Sequence, residues 1–372
     1  MTLPTILHDL LSLPTAAYVE SAVYEYLEAV CGEMPGVRVK CDRYGNLLAR
    51  YRHDPPSRTP VAFVAHTDHP GFVVTAEAGR ERFRAEFRGG VQPDYFPDAR
   101  VRLWSDGRWI KARVCEITKR HPRPAPGVPA RVKEVLLAAA KPVPVGTIGM
   151  WDLPEPRLRG DLVTARGCDD LAGVAAIVAL LERLSQSGGR ADVYALFTRA
   201  EEVGFVGASG AIRARTIPSR VPVLSIETSS TLPHAPIGAG PIVRVGDRAS
   251  VFTPTVVASC CRIAQGLAAR KPGFAYQRKL MDGGMCEATA FLVHGYAAAG
   301  ICLALGNYHN MNTRRRKIDS EYVSLRDWQG MVDLFEAVAL DEWGLNAADQ
   351  DLRNRVDRPF HECESKLLAN RG

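Results

Sequence analysis

The chain has 372 residues, 46% of them hydrophobic and 24% charged, an ordinary balance for a globular protein able to bury one large or two ordinary domains. Its net charge of +6 is spread along the sequence apart from one run at Arg314-Arg315-Arg316-Lys317; that run reads as a solvated loop, and no basic, aromatic-interleaved pattern points to nucleic acid. No stretch approaches the ~18 consecutive apolar residues of a membrane span. Residues 1–8 do not read as a secretion signal, and the nine cysteines form an odd set with no C-x-x-C pair. Reduced core thiols such as Cys260, Cys261 and Cys302, and a cytoplasmic address, are therefore expected.

Taken in order, residues 15–31 place apolar groups at helical spacing. Residues 37–41 and 47–51 alternate as strands around the turn Tyr44-Gly45-Asn46, a hairpin pattern. Residues 60–65 form a buried strand that stops at His66-Thr67-Asp68-His69-Pro70. From about 75 to 155 the texture changes to short alternating strands, such as 83–87, 99–104 and 109–114, separated by Gly, Pro and Asp turns, with a proline-rich loop at 121–127. This reads as a small β domain inserted into an α/β chain. Residues 171–185 then form an amphipathic helix, 192–197 a strand, 206–213 a helix and 221–226 a strand ending at Glu227. Helices at 254–269 and 287–294, a strand at 300–305 and a helix at about 322–343 complete the pattern. The expected architecture is a three-layer mixed α/β sheet. Its α/β domain spans 1–74 and 156–346, the β insertion 75–155, and a loosely held polar tail 347–372.

Metal-competent side chains gather at element ends, where open α/β sheets bind ligands. They are His66 with Asp68, the pair Asp169-Asp170 at a helix start, Glu201-Glu202 after a strand, Glu227, and His309 beyond the last strand. Each has a plainer reading. His66 alone suits a hydrogen-bonded core histidine, yet Asp68 lies two residues on, on the same face of an extended chain, where a carboxylate can orient an imidazole toward a metal. Asp169-Asp170 suits a helix N-cap. Glu201-Glu202 suits a solvated turn, although apolar residues flank it on both sides. Together the groups offer two imidazoles and several carboxylates, the ligand chemistry of a dinuclear divalent site. Adjacent carboxylates can then divide the work, one holding metal and its neighbour moving protons. The motifs G-x-S-x-G and H-E-x-x-H are both absent.

Four stretches carry a family resemblance: Ala65-His66-Thr67-Asp68, Gly167-Cys168-Asp169-Asp170-Leu171-Ala172-Gly173, Thr198-Arg199-Ala200-Glu201-Glu202-Val203-Gly204-Phe205-Val206-Gly207-Ala208 and Tyr308-His309. The chain resembles the co-catalytic zinc peptidases of the M20/M28/M42 group, and most closely the M42 glutamyl-aminopeptidase-like family. That resemblance implies two divalent metals, zinc first, with cobalt or manganese as alternatives. His66 would bind one metal with Asp68 as its clamp. Asp169 would bridge both through a cis Asp169-Asp170 peptide, and Glu201 would act as general base. Glu202 would be a ligand, Glu227 a ligand on the first metal and His309 on the second. The implied activity is aminopeptidase action on short peptides, in a homo-oligomer. Three departures stand out: Glu227 where aspartate is usual, His69-Pro70 in place of an acidic-aliphatic pair, and the surroundings Asn307-Tyr308-His309-Asn310. Two other readings remain: an M20-like carboxypeptidase or amidohydrolase on N-acyl or γ-glutamyl compounds, and a peptide-binding scaffold on an inactive peptidase fold.

Overall fold

The computed structural model describes residues 2–55, 57, 59–120, 131–345 and 350–369. Its centre is an eight-stranded mixed sheet. The order across it is Val37–Cys41, Leu47–Arg52, Asp192–Thr198, Val61–His66, Val223–Ser230, Ala298–Leu305, Ile242–Gly246 and Gln277–Leu280. The four central strands, from Asp192–Thr198 to Ala298–Leu305, run parallel. Val61–His66 and Ala298–Leu305 are buried along their whole length, which explains their unbroken apolar sequences, since a parallel strand covered on both faces has no solvent side. The outer strands Ile242–Gly246 and Gln277–Leu280 lie outside every sequence-read strand, being short and polar-interrupted.

Helix Leu171–Ser187 packs on the Val61–His66 and Val223–Ser230 strands, and against helices Thr5–Ser12 and Leu325–Ala339. Eleven of its residues are buried and it stops at Gly188, a left-handed cap with φ 64°, as helices commonly do. Helices Val206–Ala214 and Glu287–Val293 pack on one another and on the same sheet. Leu325–Ala339 starts at Ser324, whose hydroxyl accepts from the Asp327 N–H, an N-cap typically worth about 1 kcal/mol.

Between the first two catalytic segments the chain forms a closed six-stranded barrel. It runs Gly71–Glu77, Arg82–Arg88, Arg131–Ala139, Arg108–Arg120, Arg100–Ser105 and Ile148–Trp151 around the circle. Phe72, Phe87, Phe96 and Trp151 fill its interior with ring centroids 4.8–6.3 Å apart, distances at which edge-to-face packing is favourable. The first barrel strand starts at Gly71, earlier than residue 75, because the chain passes from the His66 strand into the barrel almost without a linker. The proline-rich stretch 121–127 lies outside the described residues.

One expectation changes. The helix read over 15–31 is Ser21–Gly32, preceded by a separate helix Thr5–Ser12. Residues 15–20 serve instead as anchors. Thr15 Oγ1 donates to the Thr67 carbonyl at 2.7 Å, and the buried Glu20 carboxylate accepts from the N–H groups of Tyr18 and Ala200 while pairing with Arg199. In the polar tail beyond 347, expected to be loosely held, Gln350–Ala369 forms an α-helix whose residues 353–369 are exposed. Good helix formers outweigh polarity there.

Candidate active site

Asp169 lies between two histidines. His66 Nε2 is 3.5 Å from Asp169 Oδ1 and 3.9 Å from Glu227 Oε2. On the other side His309 Nε2 is 3.6 Å from Asp169 Oδ2 and 3.3 Å from Glu202 Oε2. Among the described residues two ligand groups thus form, His66–Asp169–Glu227 and Asp169–Glu202–His309, and each uses a different oxygen of the shared aspartate. The Asp169-Asp170 peptide is cis.

The elements that deliver these side chains come from distant parts of the sequence. His66 ends its strand. Glu227 lies within Val223–Ser230 rather than at a strand end, and its neighbour Thr228 donates from Oγ1 to Asp169 Oδ1 at 3.0 Å. Asp169 N–H donates to Glu321 Oε2 at 3.0 Å. His309 sits in a short turn with φ 52°. Its Nδ1 faces the Gly90 carbonyl of the barrel at 2.9 Å, and the Tyr308 ring stacks on its imidazole. Nε2 of His309 is thereby aimed at the carboxylates.

Asp68 meets His66 through its backbone more closely than through its carboxylate, whose Oδ1 is 3.7 Å from His66 Nδ1. The Asp68 backbone carbonyl meets that nitrogen at 3.0 Å. The carboxylate is taken up by two nearer donors, accepting from the Glu201 N–H at 2.9 Å and the Glu202 N–H at 3.1 Å. One residue therefore fixes both the histidine and the acidic pair. The turn beyond is close-packed, since a Cβ on Gly207 would come within 2.2 Å of the Arg199 carbonyl.

Electrostatically the site holds an excess of negative charge. Burial, with Glu227, Glu202 and Asp68 nearby, holds the Glu201 carboxyl well above the usual range. Burial and Asp169 push Glu227 up to about 8. Burial likewise raises Asp68 to about 7, with Glu202 and Glu20 adding to it. His309 rises to about 9 against the pull of its burial, because Glu202 and Asp169 favour its cation. Oε1 of Glu202 and Oε1 of Glu227 are buried without a hydrogen-bond partner, which is costly for a carboxylate. Two imidazole nitrogens, a shared carboxylate and two orphaned carboxylate oxygens suit a pair of divalent cations.

His66, Asp68, Asp169, Glu201, Glu202, Glu227 and His309 thus lie in or directly against one site, with Asp170 buried beside them. Sequence reading missed the groups that hold them: Glu20, Gly90, Thr228 and Glu321. His69 and Asn310 stood out only as departures, and they too belong to this shell, with His69 Nδ1 2.6 Å from the Asp169 carbonyl and Nε2 3.0 Å from Asn310 Oδ1. A buried glutamate inside the polar stretch Ile318-Asp319-Ser320-Glu321 gives no sequence signal.

Solved structures share this fold. The aminopeptidase APDkam598 from the archaeon Desulfurococcus kamchatkensis is 22% identical with TM-score 0.72, over 90% of this chain and 93% of that one. The Pyrococcus horikoshii TET1 peptidase is 19% identical with TM-score 0.72, over 90% and 98% respectively. A TET aminopeptidase from a marine sediment archaeon of the Thaumarchaeota is 17% identical with TM-score 0.73, over 90% and 95%. The model of the M42 glutamyl aminopeptidase family matches residues 45–323, well over half of the chain and the whole of the site from His66 to Glu321. The chain belongs to the M42 glutamyl aminopeptidase family and is a peptidase.

Proposed function

We propose that the protein is a two-metal aminopeptidase that removes N-terminal residues from short peptides. The observation that carries this reading is the position of Asp169, which turns Oδ1 toward His66 and Oδ2 toward His309. His66, Asp169 and Glu227 would hold one divalent ion, and Asp169, Glu202 and His309 the other. A bound pair of ions polarises a scissile carbonyl and makes water more acidic.

The chain's own groups supply the rest. Glu201 is the general base: its backbone is fixed by the Asp68 carboxylate, which leaves its own carboxylate free to accept a proton from the attacking water and return it to the leaving amine. Asp68 is a positioning residue, acting through His66 and the Glu201-Glu202 backbone. Zinc is the first candidate metal, with cobalt or manganese as substitutes. The nine free thiols support a reducing, cytoplasmic setting.

The Pyrococcus horikoshii TET1 peptidase assembles into a tetrahedron or a large octahedral shell. We extend a homo-oligomeric state to this chain, and a closed shell of that kind would admit only short peptides. The activity test compares aminoacyl anilides and dipeptides with N-acyl amino acids, using chelated protein with and without added Zn, Co or Mn. Metal-restored cleavage of free-amine substrates is expected. Cleavage of the N-acyl compounds alone would replace this reading with the amidohydrolase one.

A further inference from the structure

His69 is fully buried, and both of its ring nitrogens face acceptors. Nδ1 lies 2.6 Å from the Asp169 carbonyl, and Nε2 lies 3.0 Å from Asn310 Oδ1. The orientation of Asn310 is set independently, because its amide nitrogen donates to the carbonyls of Arg166 at 2.6 Å and Asp319 at 3.3 Å. Its oxygen is therefore the atom turned toward His69. The imidazole also lies directly over Gly167, where a Cβ would meet ring atoms at 3.1–3.4 Å. This contact gives a physical reason for glycine at the start of the Gly167-Cys168-Asp169-Asp170 stretch. His69 thus joins three segments, the loop after His66, the backbone of Asp169 and the turn carrying His309.

We propose that His69 is a positioning residue for the second metal site, tying the backbone of the shared ligand Asp169 to the His309 turn. The proposal rests on the two-metal reading above. The two halves of the site are not equally well braced. On the His66–Glu227 side, His66 and Glu227 belong to paired central strands, and Thr228 grips Asp169 Oδ1. On the other side, Glu202 and His309 both come from loops. Asn307, His309 and Asn310 have φ of 55°, 52° and 62°, left-handed values that cost a non-glycine residue on the order of 1 kcal/mol or more. Such a turn needs outside support, and the His69–Asn310 contact at 3.0 Å supplies it. A glutamate at position 69 would set lone pairs against both acceptors, whereas the imidazole presents an N–H to one of them and packs against the other.

The test is Co(II) titration of metal-free protein, followed by calorimetry and by visible absorption. Wild type is expected to show two binding events. His69→Ala should leave the first within about threefold, weaken the second by about 10–100-fold, and change the absorption spectrum of the fully loaded protein. It should lower kcat with KM little altered. His69→Gln keeps an N–H donor and should recover part of the second event, whereas His69→Glu should not. Gly167→Ala leaves the imidazole in place but crowds it, and should give a smaller loss in the same direction. Unchanged second-site affinity in His69→Ala, or equal weakening of both events, would overturn the positioning role. Fewer than two events in wild type would overturn the two-metal reading itself, and the proposal with it.

Discussion

At the scale of single residues, two carboxylates that adjoin the proposed ligands separate chemistry from support. Glu201→Gln preserves size and the backbone hydrogen bond to Asp68, and removes only the capacity to take a proton. Its activity is expected to fall by about 10²–10⁴-fold with metal content unchanged, measured as initial rate against bound metal by elemental analysis. Loss of metal alongside activity would make Glu201 a ligand rather than a base. Asp68→Asn acts differently. The amide offers one acceptor oxygen to the two N–H groups of Glu201 and Glu202, so one of them faces an N–H₂ group. An unsatisfied buried donor costs about 1–3 kcal/mol. A lower Tm together with a fall in kcat of about 10–100-fold is expected, and an unchanged kcat would remove Asp68 from the working site.

At the scale of elements, the barrel is more than a neighbour of the catalytic sheet. Its Gly90 carbonyl fixes Nδ1 of His309, and its first strand begins five residues after His66. Trp151 is the largest side chain of its aromatic core and is almost fully buried. Trp151→Ala should destabilise the protein by about 3–5 kcal/mol, seen as a fall in the denaturation midpoint. Weaker binding at the His309 side should accompany it, because the Gly90 loop belongs to that unit. The β character of this segment was readable from its alternating strands, since a period of two survives in any half-buried sheet. Its closure into a barrel was not, because ring closure depends on pairings such as Phe72 with Gly149 that leave no local signal. Helix Ser21–Gly32 shows the reverse case. The apolar spacing of 15–31 overran its true start, because Glu20 is spent on Arg199 and the Ala200 N–H.

At the scale of the whole molecule, the candidate site was legible because its metal-competent side chains are chemically conspicuous. Two histidines and paired carboxylates beside apolar strands have few other uses. The support around them was not legible, since Glu321 and Thr228 look like ordinary polar residues until the fold brings them against Asp169, and Asn310 until it meets His69. Carboxylates crowded and buried as these are should make the folded chain depend on its cations. Bound metal is expected to raise Tm in a concentration-dependent way, by mass action worth about 2.7 kcal/mol at 100 times Kd. Equal melting of chelated and metal-loaded protein would argue against that dependence. The most direct measurement is anomalous diffraction from crystals of the zinc-loaded protein. Two peaks roughly 3.5–4 Å apart, on either side of the Asp169 carboxylate and next to His66 and His309, are the predicted result. A single peak, or peaks away from Asp169, would contradict the account.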